Sequence, residues 1–239
     1  MKHPLKNKNT RARYHRYYLR QHKRQTERML ERLVRYFRKQ RNRVIENLGR
    51  KRGLAEETFN QGIEIKIAYD EFRNLFEDEL RKAGQEKLEL VGTGGTFRLE
   101  TDIVEWLDEK SDVFSKSINK TTFDRLKQEF QESLSEGEGR RELVNRIKDT
   151  YKDIEKNRAK TIARTEIHSS VQKGTIEGYG QAGLETKIWV SVLSPTTRPE
   201  HALIDGEERP IKMSFSNGLD YPGDPKGLPS QIINCQCTI

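Results

Sequence analysis

The distribution of proline divides this chain of 239 residues into two parts that cannot fold in the same way. Of its seven prolines, only Pro4 lies before residue 194. Proline interrupts helix interiors because it lacks an N–H donor and its ring clashes with the preceding turn. Long helices are therefore compatible with the sequence before residue 194, whereas the remainder should form loops and short strands.

Helical periodicity fills most of the part before residue 194. The clearest apolar stripe consists of Leu30, Leu33, Val34, Phe37, Val44, Ile45 and Leu48. Further stripes lie within residues 68–80, 103–118, 123–134, 143–154 and 159–171. Thr121 and Asp124 have the spacing of a capping box, and Asn157 can cap a helix, so we expect helices to begin at both places. Residues 1–24 show no clear period and are expected to be mobile or to become ordered on a partner.

Two stretches near the end of the chain indicate strands. They are "TKIWVSVL", which is rich in β-branched and aromatic residues, and "IINCQCTI". The expected fold class is therefore α+β, with an elongated, mostly helical amino-terminal region and a small carboxy-terminal module. We expect three segments: a basic helical arm over residues 1–52, a helical region over 53–150 and the α+β module over 151–239. Trp106, Trp189 and Phe215 are expected in the core.

Charge is distributed very unevenly along the chain. Residues 1–52 carry 19 Lys/Arg and three Glu, a net charge of +16, and the rest of the chain carries −8. A basic arm of this kind, here with Tyr14, Tyr17, Tyr18, Tyr36 and Phe37 interleaved, is typical of binding to a polyanion such as DNA, without sequence preference. The candidate phosphate-binding residues are Arg11, Arg13, Arg16, Arg20, Arg24, Arg28, Arg35 and Arg38. An acidic protein surface, or the acidic part of this same chain, would satisfy the same charges.

Composition argues against several other classes of protein. The sequence has no stretch approaching the roughly 18 apolar residues of a membrane helix. Its basic start is not followed by the apolar run of a secretory signal. Two cysteines in a C-x-C pair do not make a disulfide framework, so we expect a protein made in a reducing cytosol.

The order of motifs in the last third of the chain is distinctive. A helix carrying "RAKTIARTE" is followed by "KIWVSVLSPTTRPEHALIDG", by the Phe of "MSFSNG", by "YPGDP" and by "NCQC". This set, over about residues 150–239, closely resembles the Mu F-like head morphogenesis family, the minor head proteins of tailed phages. The positions that carry the resemblance are Arg164, Thr165, Glu166, Trp189, Arg198, His201, Asp205, Gly206, Cys235 and Cys237.

The resemblance implies a minor capsid protein that is present in few copies inside the head and in the host cytoplasm during assembly. It implies association with the portal protein and other head proteins, and a role in assembly or DNA delivery. A cationic arm inside a head would contact packed double-stranded DNA. Family members often continue past the cysteine pair, whereas this chain ends two residues after Cys237. It is therefore either a minimal member or a piece of a longer protein.

The cysteine pair and one histidine suggest a metal site. In a strand, Cys235 and Cys237 would point to the same side, which suits zinc, and His201 would be a third ligand. The fourth ligand would be His168, Asp205 or water. The alternative is two small, half-buried thiols in a terminal strand, with His201 hydrogen-bonded to a loop carbonyl. Zinc is the single cofactor that the sequence indicates.

Catalysis has weaker support than a structural role. The last third of the chain contains an acid, a base and cations that a nuclease could use: Thr165, Glu166, Arg198, His201 and Asp205. No sequence motif assigns these residues defined roles in catalysis. Arg198 and Asp205 are expected to form an ion pair or loop hydrogen bonds that fix the fold. We therefore predict a protein that is not an enzyme. A metal-dependent nuclease and a purely structural portal adaptor without DNA contact remain the alternatives.

Overall fold

The structure, a computed structural model, describes residues 7–50, 55–191 and 194–239. In order, the elements are α1 (Lys8–Arg50), α2 (Ala55–Thr58), α3 (Gln61–Val91), α4 (Thr101–Ser135), α5 (Arg140–Asp153), a π-helical segment (Ile154–Arg158), α6 (Ala159–Gln181), β1 (Thr186–Ile188), α7 (Pro199–Leu203), β2 (Glu208–Pro210) and α8 (Pro229–Ile232). The predicted α+β class is confirmed. Within the described residues, we find no helix with an apolar stretch of the length needed to span a bilayer.

Helix α1 begins at Lys8, well before the point at which periodicity was expected to start. The Asn7 side-chain oxygen accepts the N–H of Asn9 at 2.8 Å, which caps the first turn. The buried residues of the next turns are His15, Tyr18 and His22, at helical spacing. Residues 8–24 are therefore helical although aliphatic periodicity does not reveal it, because their buried face is polar and aromatic. Residues 1–6 of the segment that was expected to be mobile or to become ordered on a partner lie outside the described residues.

Two predicted helix starts are absent. Helix α4 runs without a break through Thr121, whose hydroxyl donates to the Ser117 carbonyl one turn earlier instead of capping a new helix. Asn157 lies inside the π-helical segment, and its side-chain amide donates to Asp153 at 2.7 Å. Side-chain hydrogen bonds back to the preceding turn let these polar residues sit within helices.

Strand β1 is shorter than the described part of the predicted stretch "TKIWVSVL", whose Val192 and Leu193 lie outside the described residues. Strand β1 pairs antiparallel with β2, with Lys187 opposite Arg209. The end of the chain does not form a strand, because α8 occupies Pro229–Ile232 and Asn234 adopts a left-handed conformation with φ of 57°. Thr238 then makes a single antiparallel bridge with Val190.

The chain forms two compact units, each built from separate stretches of sequence. Unit 1 contains the described residues up to Arg28, together with Phe76–Thr101 and the described part of Ala163–Ile239. Unit 2 contains the described part of Met29–Leu75, together with Asp102–Ile162. The division into segments at residues 52 and 150 stays a prediction.

Unit 2 combines an aromatic core with a buried polar network. The Phe72 ring packs edge-on against those of Tyr36 and Phe114, with centroids 5.6 and 5.2 Å away. The fully buried Gln40 amide donates to Glu64 and to Asn119, at 3.0 and 2.7 Å. Because the amide is paired in this way, its burial does not leave an unsatisfied donor.

Unit 1 contains a close helix-to-helix approach and the apolar cluster of the terminal module. Gly174 and Gly178 of α6 lie against the α3 backbone, where an added Cβ would come within 2.2 Å of the Leu80 carbonyl oxygen and 2.5 Å of the Gly84 carbonyl oxygen. The predicted core residues Trp189 and Phe215 are buried in unit 1, with ring centroids 5.1 Å apart. Trp106, in unit 2, is only half-buried.

Candidate functional site

His201, Cys235 and Cys237 come together in unit 1. Helix α7 carries His201, and the segment after α8 carries both cysteines. The Nδ1 atom of His201 lies 3.7 Å from the Cys235 Sγ and 3.5 Å from the Cys237 Sγ. All three potential ligand atoms lie within 4.8 Å of one another. This is the group of residues that the zinc hypothesis names, although the chain between the cysteines is not a strand.

The group lies in an apolar environment. Its three side chains are 1–2% exposed. The indole of Trp189 packs edge-to-face against the His201 imidazole, with ring centroids 5.2 Å apart. Neither cysteine forms a disulfide bond. The hydrogen bond with Cys237, together with burial, raises the pKa of the Cys235 thiol well above its ordinary value, so its neutral form is favoured in the absence of a metal.

The two protein residues considered as a fourth ligand lie elsewhere. In the described chain, neither His168 nor Asp205 joins the metal-ligand group. His168 Nδ1 instead lies 2.6 Å from the Tyr18 hydroxyl. The Asp205 carboxylate accepts the Ser191 N–H at 2.9 Å and the Arg11 guanidinium at 2.8 Å. A fourth ligand would therefore come from another source.

Two family positions hold the turn that precedes the cysteines. The Arg198 guanidinium donates to the Ile233 carbonyl at 2.6 Å. The N–H of Asn234, which has a positive φ, donates to the Thr165 hydroxyl at 3.0 Å. These contacts fix the direction in which Cys235 leaves the turn. Arg198 thus makes the predicted loop hydrogen bond.

Other family positions shape the loop after α7. Gly206 has a φ of 85°, a left-handed conformation that glycine adopts without steric cost. Its N–H donates to the Trp189 carbonyl at 2.8 Å. Glu166 is half-buried on α6, and Arg164 on the same helix is exposed. Gly206 and Asp205 together hold the segment after β1, with Trp189 and Ser191, against the loop.

The first turns of α1 contact the terminal module within unit 1. The Arg11 and Asp205 side chains that form an ion pair are only 11% and 9% exposed. The Tyr14 hydroxyl donates to the Ile239 carbonyl at 3.1 Å, and His15 Nε2 lies 2.8 Å from the carbonyl of Gln236, between the two cysteines. This contact was not predicted, since nothing in the spacing of the sequence connects residues 11–15 to residues 205–239.

A buried cluster of rings continues the same face of α1. The His22 ring lies 5.4 Å from that of Tyr18 and 5.5 Å from that of His168, measured between centroids. Burial lowers the pKa of His22 to about 4, and the charge of Arg164 acts in the same direction. The recurrence of ring residues at positions 15, 18 and 22 was the one sequence signal for this cluster.

The opposite face of α1 in unit 1 carries an exposed row of cations. Arg13, Arg16, Arg20 and Arg24 are exposed and fall within one stripe at the 100° step of an α-helix. We call these four residues the basic stripe.

The other four candidate arginines either pair with a carboxylate or lie in unit 2. Arg28 and Arg38 are largely exposed but form ion pairs with Glu79 and Glu155, at 2.8 and 2.9 Å. Arg11 is engaged with Asp205, and Arg35 is exposed in unit 2.

Most of the interleaved aromatic residues serve packing. Tyr18, Tyr36 and Phe37 are buried, and Tyr14 is engaged with the end of the chain. Tyr17, which is 47% exposed and lies beside the basic stripe, is available to an outside partner. The aromatic residues therefore give less support for polyanion binding than their spacing in the sequence indicated.

Comparison with known proteins adds one finding. The family model described as Phage Mu protein F like protein matches residues 124–239. The match includes every position on which the resemblance was based, and it begins within α4, earlier than residue 150. No curated protein and no solved structure matches the chain.

Proposed function

Since residues 124–239 match the Mu F-like family model, we propose that the chain is a minor head protein of a tailed phage, bound at the portal vertex inside the head and in contact with packaged DNA through the basic stripe. The family match supports a role in phage head morphogenesis and a location in the virion. Portal association, DNA contact and the absence of catalysis are the parts of this function that experiments must test.

The observation that supports DNA contact is the exposed basic stripe. From Arg13 to Arg24 the helix rises by about 16 Å, so four guanidinium groups line one edge of a rigid rod. Arginine forms two parallel hydrogen bonds with a phosphate, and the phosphates of a duplex present a comparable row of charges. Contacts with phosphates carry no sequence information, so binding through the stripe should be independent of DNA sequence.

The test is DNA binding by the full chain over a salt series. Arg13, Arg16, Arg20 and Arg24 are all changed to Gln in one variant. We expect the slope of log affinity against log salt to become shallower by about 3 to 4, since each phosphate contact contributes roughly 0.9. Short duplexes of different sequence should lose affinity equally.

A matched control separates local contact from net charge. In a second variant, four exposed lysines outside the stripe are changed to Gln, which removes the same total charge: Lys66, Lys82, Lys116 and Lys120. Its salt slope should stay close to that of the unmodified chain. Equal losses in the two variants would contradict a specific role for the stripe. Deleting residues 1–52 is not a suitable test, because Met29, Leu33 and Phe37 of α1 are fully buried.

Portal association is tested with the portal protein encoded by the same phage. Sedimentation of the mixed proteins should show the chain bound to portal rings. The variant without the basic stripe should bind the portal as well as the unmodified chain does. If it lost portal binding while the unmodified chain had no affinity for DNA, the stripe would face an acidic protein surface, and the adaptor alternative would be correct.

The nuclease alternative predicts DNA cleavage that depends on divalent metal and on His201. His201 faces two sulfurs, and Asp205 is engaged by Arg11 and Ser191, so each has a partner other than a substrate. We expect supercoiled plasmid to remain intact with Mg²⁺, Mn²⁺ or Zn²⁺. Cleavage that disappears with His201→Gln would make the chain an enzyme.

A further inference from the structure

We propose that His201, Cys235 and Cys237 bind one zinc ion that fixes the end of the chain to α7. The observation behind this proposal is the convergence of two sulfur atoms on a single imidazole nitrogen. The Cys235 and Cys237 Sγ atoms lie 3.7 and 3.5 Å from His201 Nδ1. A metal bound by all three would use Nδ1 of the imidazole.

These distances match the edges of a zinc coordination tetrahedron. With Zn–S bonds of about 2.3 Å and Zn–N bonds of about 2.0 Å, a sulfur and a nitrogen on one tetrahedral zinc lie about 3.5 Å apart. Both sulfur-to-nitrogen distances are therefore already close to the spacing that a shared zinc ion requires. Soft thiolates together with an imidazole select zinc over magnesium or calcium, which take oxygen ligands.

The charge of the group suits a buried metal. Two thiolates and one neutral imidazole around Zn²⁺ give no net charge, so the complex can sit beside Trp189 and Phe215 without an uncompensated buried ion. Three protein ligands leave a fourth tetrahedral position for a solvent molecule. The nearby Ser191 hydroxyl, 4.0 Å from the Cys237 Sγ, already donates to the His201 carbonyl and accepts from the Trp189 indole.

The metal would add a direct link between the end of the chain and α7. The residues after α8 form no regular strand, and Thr238 makes a single bridge to Val190. Gln236, between the cysteines, also accepts the hydrogen bond from His15. Linking Cys235 and Cys237 to His201 closes a loop of more than thirty residues and positions the surface on which α1 packs.

The experiment is metal binding by the reduced, full-length chain. Because Cys235 and Cys237 are its only cysteines, any thiolate-to-metal charge-transfer band must come from this group. We expect one zinc per chain by elemental analysis. Co²⁺ added to the metal-free chain should give the visible bands of a tetrahedral site and a near-ultraviolet thiolate band, and Zn²⁺ should displace both. Removing zinc with a chelator should lower the melting temperature by about 5 °C or more.

Variants identify the ligands. Cys235→Ser and Cys237→Ser should each abolish the thiolate band or shift it strongly, and His201→Gln should weaken Co²⁺ binding at least about tenfold. His22→Gln removes another buried histidine of unit 1 outside the group, and its Co²⁺ spectrum should not change.

The unmodified chain decides the outcome, so a variant that fails to fold does not weaken the test. Zinc in a one-to-one ratio with a cobalt thiolate band supports the site. If the folded, reduced chain takes up neither metal, or binds Co²⁺ without that band, the three residues are a packed thiol–imidazole cluster and the proposal is wrong.

Discussion

Trp189 shows at the scale of one residue how the terminal module is held together. It is fully buried among Ile204, Phe215, Leu219 and the two cysteines. Its indole N–H donates to the Ser191 hydroxyl at 3.1 Å, so its burial leaves no polar atom unpaired. The same hydroxyl donates to the His201 carbonyl, which connects the tryptophan to the candidate metal ligands.

Trp189→Ala should lower the free energy of unfolding by about 3–5 kcal/mol, because it leaves a cavity at the centre of the cluster. Denaturant unfolding followed by circular dichroism measures the loss. Trp106→Ala is the matched control, and its loss should be smaller because Trp106 is half-buried beside the Lys110 ammonium. Similar losses in both variants would show that Trp189 does not anchor unit 1 as described.

At the scale of elements, the contact of α6 with α3 depends on two glycines. Gly174 and Gly178 are four residues apart and therefore lie on one face of α6. Their missing side chains let the α3 backbone approach closely at Leu80 and Gly84. Glycine inside a helix is otherwise unfavourable by roughly 1 kcal/mol relative to alanine. The close packing must therefore offset this cost.

Gly174→Ala should lower the free energy of unfolding by at least about 1–3 kcal/mol, since the new methyl group would overlap the Leu80 carbonyl. Gly180→Ala on the same helix is the control, because nothing lies within 4 Å of its added Cβ. That change should be neutral or stabilise by up to about 1 kcal/mol through helix propensity. Thermal unfolding of the two variants measures both effects. Opposite signs support the packing account, whereas a tolerated Gly174→Ala contradicts it.

At the scale of the whole molecule, the free energy of unfolding should depend on pH, because unit 1 contains a buried histidine with a shifted pKa. Burial keeps His22 neutral in the folded chain, with its pKa lowered to about 4 from the ordinary 6.5. Below pH 6.5 the unfolded chain binds a proton that the folded chain does not bind until about pH 4. The free energy of unfolding therefore falls as pH decreases through this window, and this contribution is fully present only above pH 6.5.

The expected loss between pH 6.5 and pH 4 is on the order of 3 kcal/mol, from 1.36 kcal/mol for each pKa unit. It should be absent from His22→Gln, so the difference in stability between the two chains should change across this window. Carboxylates that titrate in both chains cancel in the difference. A difference that does not vary with pH would show that His22 titrates normally in the folded chain.

Each unit offers its own fluorescent reporter for this measurement. Trp189 lies in unit 1 with His22, and Trp106 lies in unit 2. In a Trp106→Phe background, the remaining tryptophan reports the unit that contains the titrating histidine. Because a chain with two compact units need not unfold in a single step, the Trp189 signal is the appropriate one to follow.

The sequence by itself determined the order of structural classes along the chain. Helical periodicity and the distribution of proline are local properties, so they predicted helices through most of the first 180 residues and short elements after them. The spacing of His201, Cys235 and Cys237 identified residues that do converge. The uneven charge was also visible, because it depends on composition alone.

Only the tertiary structure decided which polar residues face inward and which cations are free to bind. One face of α1 buries His15, Tyr18 and His22. Aliphatic periodicity does not reveal this face, because none of the three residues is aliphatic. Ion pairs with Asp205, Glu79 and Glu155 engaged three of the eight candidate arginines and left the basic stripe exposed. These contacts join residues far apart in the sequence, and no local pattern encodes them.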